Sequence, residues 1–83
     1  MPVTRTIAGH AFTLIPGRRY VASRPMAGPG VDSFLVTVKD VTFDHGFDSP
    51  AAATAGPLDY DAANALLDAF NNGPSSFQGR IWE

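Results

Sequence analysis

Apolar and polar side chains alternate in the segment from Val3 to Ile15, the period-two pattern of strands that bury one face. Gly9 and His10 interrupt the alternation, and a glycine-led pair suits a two-residue type II′ turn between antiparallel strands. Such a turn places Ile7 opposite Phe12. The faces of the predicted hairpin then differ, with apolar residues on one and threonines on the other: Val3, Ile7, Phe12 and Leu14 against Thr4, Thr6 and Thr13.

Two further strands are predicted in the first half of the chain. Pro16 and Gly17 form a typical type II turn pair, which indicates that a third strand continues the meander. In this register Val21 joins the apolar face. The opposite, solvent-exposed face receives four alternate residues: Arg18, Tyr20, Ala22 and Arg24. Residues 34–43 are predicted to form the fourth strand, because seven of these ten residues are β-branched or aromatic.

The second half of the chain predicts one helix and one more strand. Residues 44–57 are rich in alanine, glycine and proline, and we expect them to form a mobile loop. A helix follows, with Asp59 as its N-cap and a glycine-proline stop at 73–74. Its apolar stripe has helical spacing: Ala63, Leu66, Leu67 and Phe70. Residues 75–83 return as a strand.

These elements predict a single α+β domain over residues 1–83. We expect an antiparallel or mixed sheet of about five strands with one helix packed on one face, in the order ββββαβ. The chain contains no cysteine, which excludes disulfides and thiolate zinc sites and is typical of a reducing compartment. No signal-peptide pattern and no long apolar run occurs, so we expect a cytoplasmic protein that does not enter a membrane.

Charge is distributed unevenly along the chain. Residues 1–39 contain five basic residues and one acidic residue, whereas residues 40–83 contain one basic and seven acidic residues. Within the basic half, Arg18, Tyr20 and Arg24 share a predicted strand face and are the candidate binding residues. Cationic groups beside an aromatic ring are typical of single-stranded nucleic-acid binding. The alternative is a solvated strand surface, because a formal net charge of −2 disfavours tight contact with a polyanion.

Few groups in the sequence could carry catalysis. His45 has Asp44 and Asp48 within reach, but this spacing matches no zinc or calcium motif. No G-x-S-x-G elbow, dinucleotide-binding loop or P-loop is present. We therefore expect a protein that is not an enzyme and has no catalytic residues, metal site or cofactor.

Small domains without disulfides often gain stability from a partner chain, and pairing of sheet edges buries additional surface directly. A large aromatic residue on the last predicted strand indicates such a contact. The candidate interface residues are Phe77, Ile81 and Trp82. The sequence thus predicts an interaction module that forms a homodimer, or binds another protein, through a sheet edge or its C-terminal strand. Single-stranded nucleic-acid binding is the alternative function.

Overall fold

The computed structural model describes residues 1–43, 49–71 and 79–83. Within these ranges the chain forms six strands and one helix: β1 (Val3–Ile7), β2 (His10–Leu14), β3 (Arg19–Ser23), β4 (Phe34–Asp40), β5 (Ala51–Leu58), α1 (Tyr60–Asn71) and β6 (Arg80–Ile81). The first two strands form a separate hairpin, and the others form an antiparallel sheet in the order β5-β4-β3-β6. The predicted α+β class, a helix packed on antiparallel strands, is confirmed.

The hairpin turns at Ala8 and Gly9, one residue earlier than the sequence predicts. Both residues have positive φ, 50° and 82°, as a type I′ turn requires. Ile7 therefore lies opposite His10 rather than Phe12. Because this register differs from the predicted one by an even number of residues, every side chain keeps its face. The apolar face is confirmed by three buried residues and one half-buried residue: Ile7, Phe12, Leu14 and Val3.

The predicted three-stranded meander is wrong, because β3 pairs with β4 and β6 rather than with β2. This exchange of partners reverses the two faces of β3. Tyr20 and Ala22 point into the core, and Val21 lies half-buried on the other side of the sheet. Along β4 the predicted apolar face is confirmed by three buried residues: Phe34, Val36 and Val38.

Strand β5 occupies half of the segment predicted to be a loop. Residues 51–57 of the predicted 44–57 loop belong to this strand, which corrects that assignment, and 44–48 lie outside the described residues. Alanine, glycine and proline have low β propensity, so the sequence pattern does not reveal the strand. Pairing with β4 holds it in place, and Ala53 and Ala55 pack half-buried against the core.

Helix α1 begins and packs as the sequence predicts. The Asp59 carboxylate accepts a hydrogen bond from the Ala62 backbone N–H at 2.7 Å, which confirms Asp59 as the N-cap. The helix lies against β1, β3, β4 and β5, and the rings of Phe12 and Phe70 meet edge-to-face with centroids 5.3 Å apart. Hairpin, helix and sheet therefore share one hydrophobic core. The predicted stop at 73–74 lies outside the described residues.

Candidate interaction surface

Tyr20, the predicted stacking residue, is buried in the core. Only 2% of the residue is exposed, and its ring meets Trp82 edge-to-face with centroids 6.3 Å apart. Its hydroxyl accepts a hydrogen bond from the Ile15 backbone N–H at 3.2 Å. The predicted exposed face with a tyrosine between two arginines is therefore wrong, since it depended on the meander register. Tyr20 offers no plane on which a nucleic-acid base could stack.

Arg18, just before β3, forms an ion pair with Asp40. Its Nη1 lies 3.0 Å from Asp40 Oδ2, and its guanidinium carbon lies 5.7 Å from the centroid of the Phe43 ring. Thr42 donates to the other carboxylate oxygen from its backbone N–H, at 3.0 Å, and from its hydroxyl. Burial raises the pKa of Asp40, but the hydrogen bonds from Thr42 and Arg18 outweigh burial, so the pKa lies below its ordinary value of 3.8.

We expect Asp40→Asn to lower the free energy of unfolding at neutral pH by about 1–2 kcal/mol, because a charged hydrogen-bond acceptor is lost. A carboxyl whose folded-state pKa is lowered stabilises the fold above its unfolded-state pKa. This contribution is lost as the pH falls through the folded-state pKa. The difference between the variant and the parent protein should therefore shrink below pH 3.8. Urea denaturation at neutral and acidic pH, followed by circular dichroism, measures both values.

Asp68→Asn is the control for this prediction, since Asp68 is exposed on α1. It should change the stability by less than about 0.5 kcal/mol at either pH. Equal losses in the two variants would contradict a specific stabilising role for Asp40.

Arg24 joins the end of β3 to the first turns of α1. Its guanidinium carbon lies 5.0 Å from the ring centroid of Phe34 and 5.1 Å from that of Tyr60. Its Nε donates a hydrogen bond to Asn64 Oδ1 at 2.9 Å. A guanidinium held by two rings and an amide stabilises this corner of the fold. The three candidate binding residues therefore make separate contacts and share no exposed face.

The candidate interface residues also lie in different environments. Trp82 is 1% exposed, its ring stacks on Phe70 with centroids 5.9 Å apart, and its Nε1–H donates to the Val3 carbonyl at 2.8 Å. Trp82 thus belongs to the core of its own chain, and its predicted place at an interface is wrong. Ile81 is exposed, whereas Phe77 lies outside the described residues.

The β3 edge of the sheet is closed by other parts of the same chain. β6 pairs with only two residues of β3, Arg19 and Tyr20. Beyond β6, the buried carboxamide of Asn71 takes the place of a strand. Its Oδ1 accepts a hydrogen bond from the Ala22 N–H, and its Nδ2 donates to the Ala22 carbonyl, both at 2.9 Å. Backbone groups that are already bonded in this way cannot accept a further strand.

The opposite edge of the sheet is formed by β5. Among the described residues, no strand is hydrogen-bonded to β5 on the side away from β4, although β2 lies nearby. Residues 49–58 carry no charged side chain, and charge on an edge strand is a common device against edge-to-edge pairing. Pro50 and Pro57, which lack an N–H, bracket the stretch that could pair. This stretch is the free β5 edge.

The hydrogen bonds of the sheet show which backbone groups face outward from β5. Ala22 is bonded by a side chain outside the strand pair, so Ala22 and its partner Val38 form a non-hydrogen-bonded pair. Val38 must then bond to Ala53, and the alternate residue Thr54 points its N–H and C=O away from β4. The bond from the Asp40 N–H to the carbonyl of the residue before β5, at 2.9 Å, fits the same alternation.

Thr54 also ends a row of hydroxyl side chains on the open sheet face, which is the face opposite the core. Ser23, Thr37 and Thr54 lie directly opposite one another on β3, β4 and β5. Leu35 and Lys39 flank this row on β4. All five residues are exposed or half-buried. Because the row reaches the free β5 edge, a strand added to β5 would extend it.

A shallow groove of about 420 Å³ lies beside β6. Among the residues that the structure describes, it is lined by Arg19, Gly79, Arg80, Ile81 and Glu83. The Arg80 guanidinium donates to the carbonyls of Ala69 and Phe70, at 2.9 and 2.7 Å, and so satisfies the C-terminal end of α1. The Arg80 side chain in the groove is therefore already bonded to the end of α1, and we assign the groove no ligand.

The predicted cluster of His45, Asp44 and Asp48 lies outside the described residues. Elsewhere, in the ranges that the structure describes, no three histidine, aspartate or glutamate side chains are grouped to hold a metal ion. The helix in those ranges, α1, is too short and too polar to span a membrane.

Compared with protein-family models, with curated proteins and with solved structures, the chain matches none. Its function must therefore be inferred from its own surface, where the free β5 edge is the most distinctive feature. Sequence reasoning misses this edge because its composition predicts a loop. The signal that could reveal it is the uncharged run over residues 49–58, bounded on each side by an aspartate.

Proposed function

We propose that the protein is a small non-catalytic interaction module that self-associates through the free β5 edge. The observation that carries this proposal is the uncharged stretch around Thr54. The backbone N–H and C=O of Thr54 lie at the sheet edge and point away from β4. Unpaired backbone groups on an edge strand are a template for a further strand. The same strand of a second copy supplies the missing partners.

The free β5 edge is a better route than the C-terminal strand, which the sequence offers as the other possibility. β6 is only two residues long, and Asn71 occupies the β3 edge beyond it. The segment after β6 is bonded on both sides. Trp82 N–H donates to the Arg18 carbonyl, and Arg5 Nε donates to the Glu83 carbonyl. A strand added on the outer side of β6 would have to displace the Arg5 side chain from the Glu83 carbonyl.

Light scattering from micromolar to millimolar concentration tests the proposal. We expect the mass to rise from monomer toward dimer with concentration, because one short strand pair buries less than the about 1,200–2,000 Å² of a stable interface. Thr54→Lys should raise the dimer dissociation constant about tenfold or more, since a lysine at the centre of an edge strand opposes pairing. Thr6→Lys is the matched control, because Thr6 is an exposed threonine on the separate hairpin.

Circular dichroism and urea denaturation must show that both lysine variants are folded. A parent protein that stays monomeric over the whole concentration range would exclude self-association. If the two lysine substitutions weakened the dimer equally, association would not depend on β5.

A further inference from the structure

We infer that two copies pair their β5 strands antiparallel, with Thr54 on the two-fold axis, and so join two four-stranded sheets into one of eight strands. This inference rests on the proposed self-association and adds the orientation and register of the partner, a second copy of the chain. A two-fold axis perpendicular to the sheet makes the two β5 strands antiparallel. It also keeps both open sheet faces on the same side.

The backbone around Thr54 limits the possible register. The pairing of β4 with β5 is regular from Ala53 to Ala55 and shifts on either side of this stretch. Beyond it, Gly56 has a φ of 122°, which departs from strand geometry, and Pro57 has no N–H to donate. Thr54 is the centre of the regular stretch, and its backbone groups face outward. Placing Thr54 opposite its own copy forms two hydrogen bonds, one N–H to C=O in each direction.

The side chains near this axis can pack against the same side chains of a second copy. Self-pairing brings identical residues together, and like charges directly opposite one another would repel, but β5 has no charge. A threonine hydroxyl can both donate and accept, so Thr54 can bond to its symmetry mate. Threonines directly opposite each other already bond in the hairpin, where Thr4 and Thr13 form a non-hydrogen-bonded strand pair and their hydroxyl oxygens are 2.7 Å apart.

Antiparallel pairing also continues the hydroxyl row across the dimer. Ser23, Thr37 and Thr54 cross one copy, and the same residues in reverse order cross the other. Neighbouring strands lie about 4.8 Å apart, so the row continues at the same spacing through the new strand pair. The dimer thus presents one unbroken open sheet face.

Single cysteines test this register, because the chain has no cysteine of its own and every disulfide formed must join two copies. In the proposed pair the two Thr54 Cα atoms lie about 5.5 Å apart, within the range of about 4.4–6.8 Å for disulfides. The two copies of Ala52 would be about 13 Å apart along the strands. Under mild oxidation, Thr54→Cys should therefore cross-link about tenfold faster than Ala52→Cys or more. Thr6→Cys measures random collision, and non-reducing electrophoresis gives the rates.

Rapid cross-linking of Thr54→Cys, together with a dimer in light scattering, supports the inference. If rapid cross-linking instead required a mixture of Ala52→Cys and Thr54→Cys, the register would be wrong, although pairing through β5 would stand. A dimer in which neither position cross-links faster than Thr6→Cys would overturn the β5 pairing. A strictly monomeric protein would overturn the proposed function as well.

Discussion

Trp82→Ala should lower the free energy of unfolding by about 3–5 kcal/mol, the usual loss when a buried tryptophan is truncated. The Trp82 ring contacts Tyr20 and Phe70, and its Nε1–H donates to the Val3 carbonyl. One side chain thus joins β3, α1 and the hairpin. A domain of 83 residues has about 4–12 kcal/mol of stability in total, so this single change should remove a large part of it.

Circular dichroism in urea is the suitable measurement, because the protein has one tryptophan and the variant has no indole fluorescence. Ile81→Ala is the neighbouring control, since Ile81 is 44% exposed and its truncation should cost less than about 1 kcal/mol. Trp82→Phe should fall between the two, because a phenyl ring can pack on Phe70 but cannot donate to Val3. Equal losses for Trp82→Ala and Ile81→Ala would contradict the central place of Trp82 in the core.

Asn71→Ala should lower the free energy of unfolding by about 2–4 kcal/mol, since each buried backbone group left without a partner costs about 1–3 kcal/mol. The substitution removes the partner of both the N–H and the C=O of Ala22. Urea denaturation measures the loss. Asp68→Ala, at an exposed position of the same helix, should have an effect of less than about 0.5 kcal/mol.

Asn71→Asp separates the hydrogen bonds from the packing. The substituted side chain keeps an acceptor for the Ala22 N–H, but its second oxygen, when ionised, faces the Ala22 carbonyl. This contact raises the folded-state pKa of the carboxyl above its unfolded value of about 3.9. The variant is therefore less stable than the parent protein at neutral pH, and this loss of stability disappears below the unfolded-state pKa. Stability relative to the parent protein should therefore recover in acid. A loss that does not vary with pH would argue against the hydrogen-bond explanation.

Local sequence patterns predict the buried face correctly where one face of an element is clearly apolar. The hairpin faces are correct although the turn is displaced, because an even shift preserves side-chain direction. The turn is displaced because Ala8 adopts a positive φ beside Gly9, which few non-glycine residues do. The Asp59 cap and the stripe of α1 are likewise local features, and both are confirmed.

Tyr20 shows where a local pattern fails. The segment from Arg18 to Arg24 carries arginine on both faces, so alternation alone cannot tell which face is buried. Contacts with residues far along the chain determine which face of β3 is buried. β3 lies between β4 and β6, and Trp82 packs against the Tyr20 ring. The candidate binding face was lost with this choice, because it required Tyr20 to be exposed.

The sequence does not predict the free β5 edge, or the pairing of Asn71 with the β3 edge, for a different reason. An alanine-rich segment with glycine and proline has little intrinsic tendency to form a strand, and β5 exists because β4 binds it. Asn71 is a polar residue at the end of an amphipathic helix, a position that usually faces solvent. It is buried because its amide pairs with Ala22, 49 residues earlier in the chain.

The contact between Val3 and Trp82 joins residues that are 79 positions apart. Contacts of such long range form late, because a large loop must close before they contribute. During synthesis on the ribosome the core therefore remains incomplete until residue 82 has left the exit tunnel. Until then, the apolar faces of the hairpin and the sheet lack the Trp82 side chain that joins them, and apolar surface left exposed in this way favours contact with other chains.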